Sequence, residues 1–252
     1  MAAVNAPVLV PLAVGEPCPR AARALSEIAE LTRRMRPDLR IEPAFLAAGE
    51  AGLEGVAGRA ETRGDGELVV VPLLLSSEAR SDIDLAGAAM DADSAHPEVT
   101  VRLAEPIGPD LALLEVLDER LRAALRVARV RELDALVLAA MGSRSARSDV
   151  SLARLARRWG ARHHLPTAVA FANASPPTTG EAVRDWRRQG RRQIAVGSLF
   201  ATPGASCDYA AELALEAGAV AVSGPLGAHS ELSRLLLSRF AVTALELLPL
   251  PA

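Results

Sequence analysis

Imidazoles and thiols, the side chains best suited to serve as base or ligand for a borderline metal near neutral pH, are few in this chain and scattered. Its 252 residues hold four histidines and two cysteines. His163 and His164 are adjacent, and neighbours in an extended loop point to opposite sides, so they make poor co-ligands. His96 stands alone, and His229 lies at an expected helix start, where a capping role suits it. Cys18 and Cys207 form neither a CxxC pair nor a disulfide framework, a usage that fits a reducing compartment and an expected cytoplasmic location. Cys207, beside Ser206, is the one thiol with a metal-binding argument, set against a small buried apolar role. Gly142-Ser143-Arg144 follows the apolar run Leu136-Val137-Leu138 and precedes a helical pattern, the place where open α/β sheets bind ligands. Arg144 there is either an anion contact or part of a turn in which Ser143 caps the helix. Neither a GxGxxG loop nor a Walker-type loop is present, so nucleotide use has no support.

The elements that must position these groups come twice. Val8-Leu9-Val10 followed by Val14-Gly15-Glu16-Pro17-Cys18 returns as Leu136-Val137-Leu138 followed by Met141-Gly142-Ser143-Arg144. Val69–Ser76 is answered by Ala195–Thr202 and Phe45 by Phe171, at a spacing of about 126 residues. Pro106–Leu113 is echoed by Pro225–Leu232, and Arg120 by Arg239. The expected organisation is two similar domains, 1–126 and 127–252. Strands are expected near 7–12, 40–46, 68–75 and 99–103, and again near 134–140, 166–171, 193–200 and 219–223. Helical patterns separate them, which implies βαβ units and a mainly parallel four-stranded sheet in each domain, flanked by helices: an α/β fold. Residues 122–133 lack Gly and Pro and are expected to carry a helix straight into the second domain.

Composition narrows the function classes. Half the residues are apolar but only 3% are aromatic, which suits helices layered on a sheet. Net charge is −3 with acids and bases interspersed, so no nucleic-acid footprint is expected. The dense basic run from Arg184 to Arg192 reads as a solvated helix end whose cations oppose the C-terminal dipole. No apolar stretch reaches the ~18 residues of a membrane span.

In this order the landmarks resemble the CbiX/SirB-type sirohydrochlorin chelatases, the class II tetrapyrrole chelatases, in their two-domain form. The likeness rests on Gly142-Ser143-Arg144, the Val71–Ser76 segment followed by Asp84, the Arg36-Pro37 step, Val169-Ala170-Phe171 and the Leu226-Gly227-Ala228-His229 turn. The resemblance implies two chelatase-like domains and a macrocycle taken in an inter-domain cleft. Divalent iron, cobalt or nickel is then a substrate, with no permanently bound cofactor. It also implies one histidine just before the Gly-Ser-Arg turn and another after the Pro-Leu-Leu-Leu-Ser segment, because metal insertion needs a base and a ligand together.

The corresponding positions here are Val14 and Met141 for the first, and Arg80 and Ser206 for the second. None carries an imidazole. Glu16 and Glu78 flank the replaced positions and are either a carboxylate pair able to hold a divalent ion and accept a proton, or surface loop residues. Arg80 is expected either to meet a carboxylate of the macrocycle or to pair with Asp82 or Asp84, and Gly142, Ser143, Arg144 and Ser206 complete the expected substrate contacts. Two functions follow: a chelatase-like lyase of siroheme or cobalamin biosynthesis that inserts or handles Fe²⁺ or Co²⁺, or an inactive paralogue that binds a tetrapyrrole or partners an active chelatase. A periplasmic-binding-like protein with convergent layering is the more distant rival.

Overall fold

The computed structural model describes residues 6–46, 49–76, 83–142, 150–172 and 176–246. In chain order the elements are β1 (Val8–Ala13), α1 (Pro19–Met35), β2 (Ala44–Phe45), α2 (Leu53–Arg63), β3 (Glu67–Pro72), α3 (Leu85–Ala95), β4 (Thr100–Leu103) and α4 (Leu113–Ala128). The second series is β5 (Ala135–Ala140), α5 (Val150–His163), β6 (Thr167–Phe171), α6 (Thr179–Arg188), β7 (Ile194–Leu199), α7 (Ala205–Glu216), β8 (Ala221–Val222) and α8 (Ser230–Glu246).

Two four-stranded sheets result, ordered β2-β1-β3-β4 and β6-β5-β7-β8, and every pairing is parallel. Strand β1 and strand β5 are buried along their whole length, as the central strands of a sheet covered on both faces must be. The alternating apolar runs thus produce the α/β architecture expected from the sequence.

Local chemistry explains the boundaries. Helix α1 begins with Pro19 at its first turn, where no N–H is needed, and the Cys18 sulfur accepts the Ala21 N–H at 3.4 Å. Its stripe of Ala21, Leu25, Ile28, Ala29 and Thr32 is buried, and the chain leaves the helix before Pro37. Just beyond, the Arg36 guanidinium grips both carboxylate oxygens of Asp38 at 2.8 and 2.6 Å and holds that carboxyl below its usual range. Helix α2 ends at Gly64, whose φ of 74° places it in the left-handed region that glycine accepts without a Cβ penalty.

The compact units do not coincide with the halves of the repeat. One unit comprises Met1–Leu74, Asp84–Ile107 and Gly227–Ala252, the other Leu75–Ile83 and Gly108–Leu226. The compact units cut across the halves of the repeat because each half gives its last helix to the other half's sheet. Helix α8 packs on β3 and α1, while α4 packs on β7 and β8. The matched arginines lock this exchange. Arg239 of α8 donates to the carbonyls of Pro106 and Ile107 at 3.0 and 3.1 Å, and Arg120 of α4 donates to the carbonyl of Leu226 at 2.8 Å. The helix expected to run through 122–133 stops at Ala128. Arg129 adopts φ 56°, and its N–H and that of Val130 close back on the carbonyls of Arg126 and Leu125, turning the chain toward β5.

In the second unit the sheet has two distinct faces. Val137, Ala139 and Val196 pack with Ala182, Val183, Ala210 and Ala214 of α6 and α7. Gly197 turns the other way, and a Cβ there would lie 2.5 Å from Cη2 of Trp159 on α5 and 3.0 Å from Cδ1 of Leu117 on α4. Trp159 is fully buried and donates its indole N–H to Oδ1 of the buried Asp118 at 2.8 Å.

Candidate functional site

Both sheets have the strand order in which the first crossover goes to one side and the second returns to the other. The carboxyl ends of the two strands flanking that reversal form the crevice where open α/β sheets take ligands. In the first unit the reversal lies between β1 and β3, with Leu12 opposite Pro72. In the second it lies between β5 and β7, with Ala140 opposite Leu199. Neighbouring strands are ~4.8 Å apart, so the segments leaving each pair start side by side.

Four of the positions singled out in the sequence, Val14, Glu16, Met141 and Gly142, are described just beyond β1 and β5. Val14 leaves β1 half-buried, and Glu16 follows two residues later with its side chain exposed. Across the pair, the Leu73 N–H bonds to the carbonyl of Leu12 at 2.8 Å, continuing the register beyond β3. In the second unit Met141 leaves β5 half-buried against the Ala/Val core of α6 and α7, and Gly142 is buried. Ser206 stands in the first turn of α7, partly exposed, with Gly204 as the N-cap. Cys207 turns inward and is 6% exposed in the same core, the small apolar role. Glu78, Arg80, Ser143 and Arg144 lie outside the described residues.

Neither edge position nearest the central strand can take a proton: Val14 is a hydrocarbon and Met141 offers only a thioether. Glu16 is the one carboxylate between β1 and α1. Among the described residues no group of three or more His, Cys, Asp or Glu side chains is arranged to hold a metal ion.

Three of the four histidines have structural partners. His163 belongs to the last turn of α5 rather than to a loop, and its Nε2 lies 2.7 Å from Oδ1 of Asp118. His96 Nδ1 lies 2.8 Å from Glu61. His229 accepts the Glu231 N–H on Nδ1 at 3.1 Å, as Asp110 at the matching position accepts the Ala112 N–H at 2.8 Å. Sequence reasoning missed Asp118, which also faces Arg162 at 3.3 Å and Arg122 at 3.9 Å. Its only sequence signal was an acid inside the apolar stripe of α4. In the first unit a hydrogen bond of 3.0 Å from Thr32 on α1 to Ser233 on α8 occupies the analogous helix contact.

The basic run at the exit of α6 is engaged in the same local way. Arg188 pairs with Asp185 at 2.6 Å, and Arg192 donates to the carbonyl of Arg187 at 3.1 Å. At the other end of α6, Thr178 and Glu181 form a reciprocal cap, in which the Thr178 N–H and hydroxyl reach the Glu181 carboxylate at 2.7 and 3.0 Å. Accepting that backbone N–H, and then the hydroxyl, holds the Glu181 carboxyl below the usual carboxylate range.

Comparison with known families decides what this repeat is. The sequence matches the CbiX family over residues 8–124 and again over 135–243. The chain belongs to the CbiX family. Among solved structures, SirB from Bacillus subtilis with Fe³⁺ superposes with a TM-score of 0.67 at 20% identity, over 94% of this chain and 96% of that one. The sirohydrochlorin chelatase SirB from Bacillus subtilis subspecies spizizenii in complex with cobalt gives 0.72 at 17% identity, over 96% and 97%. CbiX, described as the terminal enzyme of siroheme biosynthesis in denitrifying bacteria, gives 0.66 at 20%, over 93% and 98%. Among curated proteins no match was found. This CbiX-family chain therefore has the sirohydrochlorin-chelatase fold, built from two similar α/β domains. No described helix is long and apolar enough to cross a membrane.

Proposed function

We propose that this CbiX-family protein binds sirohydrochlorin or a closely related carboxylated tetrapyrrole at the carboxyl edges of its sheets and handles Fe²⁺ or Co²⁺ as a substrate. The observation that supports the reading is the family match across both repeats, together with Val14 and Met141 directly following β1 and β5, the strands beside which each sheet reverses direction. Arg80 and Arg144 would grip macrocycle carboxylates through their guanidinium forks, with Gly142, Ser143 and Ser206 lining the approach. Glu16 and Glu78 would supply the carboxylates that meet the ion and accept the two pyrrole protons released on insertion. The proposed setting is the cytoplasm, in siroheme or cobalamin biosynthesis, a reading supported by two free cysteines.

A second reading, binding without turnover or in partnership with an active chelatase, is favoured by one observation. The side chains at Val14 and Met141 offer neither base nor imidazole ligand. A positioned acid or base typically contributes ~10²–10⁴ in rate, so its loss should be conspicuous. The test is a spectroscopic titration of the purified protein with sirohydrochlorin, with and without Fe²⁺ or Co²⁺. Binding spectra without metal insertion assign the protein to the second reading, and insertion abolished by Glu16→Ala or Glu78→Ala assigns it to the first. Val14→His combined with Arg80→His rebuilds the family pair in the first copy and should raise insertion. A protein that leaves the sirohydrochlorin spectrum unchanged would overturn both readings.

A further inference from the structure

Helix α5 and helix α7 of the second unit carry opposite charges at the same spacing. On α5, Arg154, Arg158 and Arg162 stand at i, i+4 and i+8 with Arg157 beside them, all exposed, and the helix contains no acid. On α7, Asp208, Glu212 and Glu216 stand at i, i+4 and i+8, also exposed, and the helix contains no base. Like charges four residues apart destabilise a helix, and only the terminal members, Asp208 in the first turn of α7 and Arg162 in the last turn of α5, are favoured by the helix dipole.

The repeat supplies an internal control. Helix α1, which occupies the position of α5 in the first copy, pairs Arg23 with Glu27 at 2.9 Å and Arg33 with Glu30 at 2.6 Å. Arg154, Arg157 and Arg158 make no such pair with a described residue, and Arg162 turns its Nε toward Asp118 at 3.3 Å while staying half-exposed. The cations of α6, the helix beside α7, are occupied locally: Arg188 lies on Asp185, Arg187 reaches the carbonyl of Gly218, and Arg184 stands by Glu181. Glu212 and Glu216 likewise have no partner among the described residues.

The acidic ridge is also the place where α7 shows apolar surface. Tyr209 is 50% exposed and Leu215 is 55% exposed, although the other aromatic side chains of the protein are buried or half-buried. Tyrosine and arginine are the residues enriched where proteins meet, and a guanidinium lies favourably over a tyrosine ring. The two ridges lie on opposite faces of one unit: α5 shares its sheet face with α4, and α7 shares the other with α6.

We propose that α5 of one copy of this protein docks along α7 of a second copy, so that the chain self-associates through a salt-sensitive arginine–carboxylate contact around Tyr209. The matched spacing selects a second copy, since the ridge and its complement are written in the same chain. The arginine forks engage Glu212 and Glu216 bidentately, as ammonium groups would not. The contact is heterologous, joining different surfaces of the two copies. Arg154, Arg158, Glu212 and Glu216 are not among the residues proposed to meet the macrocycle.

Sedimentation velocity on the full chain tests it. At ~25 mM salt the wild type should sediment with a mass above that of one chain, and at ~500 mM, where the screening length falls to a few ångströms, it should return to the monomer. Arg154→Glu with Arg158→Glu, and separately Glu212→Arg with Glu216→Arg, should each weaken association by about tenfold or more, with circular dichroism unchanged. Mixing these two charge-reversed proteins should restore it, because each then offers the complement of the other. Wild type that stays monomeric at low salt overturns the proposal. So does association that survives either reversal, or a mixture that fails to recover. Retention of a short DNA duplex by a monomeric wild type, lost on reversing Arg154 and Arg158, would instead assign the ridge to a nucleic acid.

Discussion

Gly197→Ala probes the packing on which the second unit depends. The added methyl would sit 2.5 Å from Cη2 and 3.1 Å from Cζ2 of Trp159, and 3.0 Å from Cδ1 of Leu117. Neither neighbour can retreat cheaply. Trp159 is fully buried, and its indole N–H is held 2.8 Å from Asp118, so withdrawing the ring leaves a buried carboxylate without that donor, a loss of ~1–3 kcal/mol. Leu117 is fixed in α4 one residue before Asp118 and is itself fully buried. Overpacking of a tight core costs ~1–3 kcal/mol, and alanine recovers ~0.5–1 kcal/mol of backbone entropy relative to glycine. The expected net loss is therefore about 1–2 kcal/mol, read as a fall in Tm of roughly 2–8 °C for a protein of this size. Urea and thermal unfolding followed by circular dichroism measure it. Trp159→Phe removes the two crowding ring atoms, so in the double variant the methyl should cost at least ~1 kcal/mol less than in the wild-type background. A Gly197→Ala protein within ~0.5 kcal/mol of wild type, or a double variant that is merely additive, would refute the packing argument.

The exchange of last helices predicts that Arg120→Ala, which leaves the Leu226 carbonyl without its guanidinium donor, lowers stability by ~1–3 kcal/mol; denaturant titration measures it, and no change would show the clamp to be dispensable. The cap of α6 predicts a pH dependence with a definite sign. Because the folded Glu181 carboxyl lies below its unfolded value, its contribution is complete above the ordinary carboxylate pKa of ~4.3 and disappears as pH falls through the lower folded value. Glu181→Gln should therefore flatten the acid limb of a Tm-against-pH curve, and an unchanged limb would refute the assignment.

Much of the fold was legible in the sequence because it is written locally. Buried central strands must be apolar along their length, so Val8–Ala13 and Ala135–Ala140 announced themselves. The ordered repeat carried the family, and the positions of Val14 and Met141 directly after β1 and β5 could be read from where they stand relative to the apolar runs. Ser206 stands in the first turn of α7, which starts after Gly204.

What the sequence by itself determined is the set of elements, their order and parallel sense, and the residue types available for chemistry. Only the tertiary structure decided which sheet each last helix covers. Arg120 and Arg239 are matched in the repeat, yet nothing local says that each clamps the closing loop of the other half. The same holds for Asp118, an acid within an apolar stripe whose reason is Trp159 and His163, some forty residues on. Periodicity reports the face a helix buries, because that depends on residues three and four apart. It carries no record of the surface that covers that face, because complementarity between distant segments forms only when they meet.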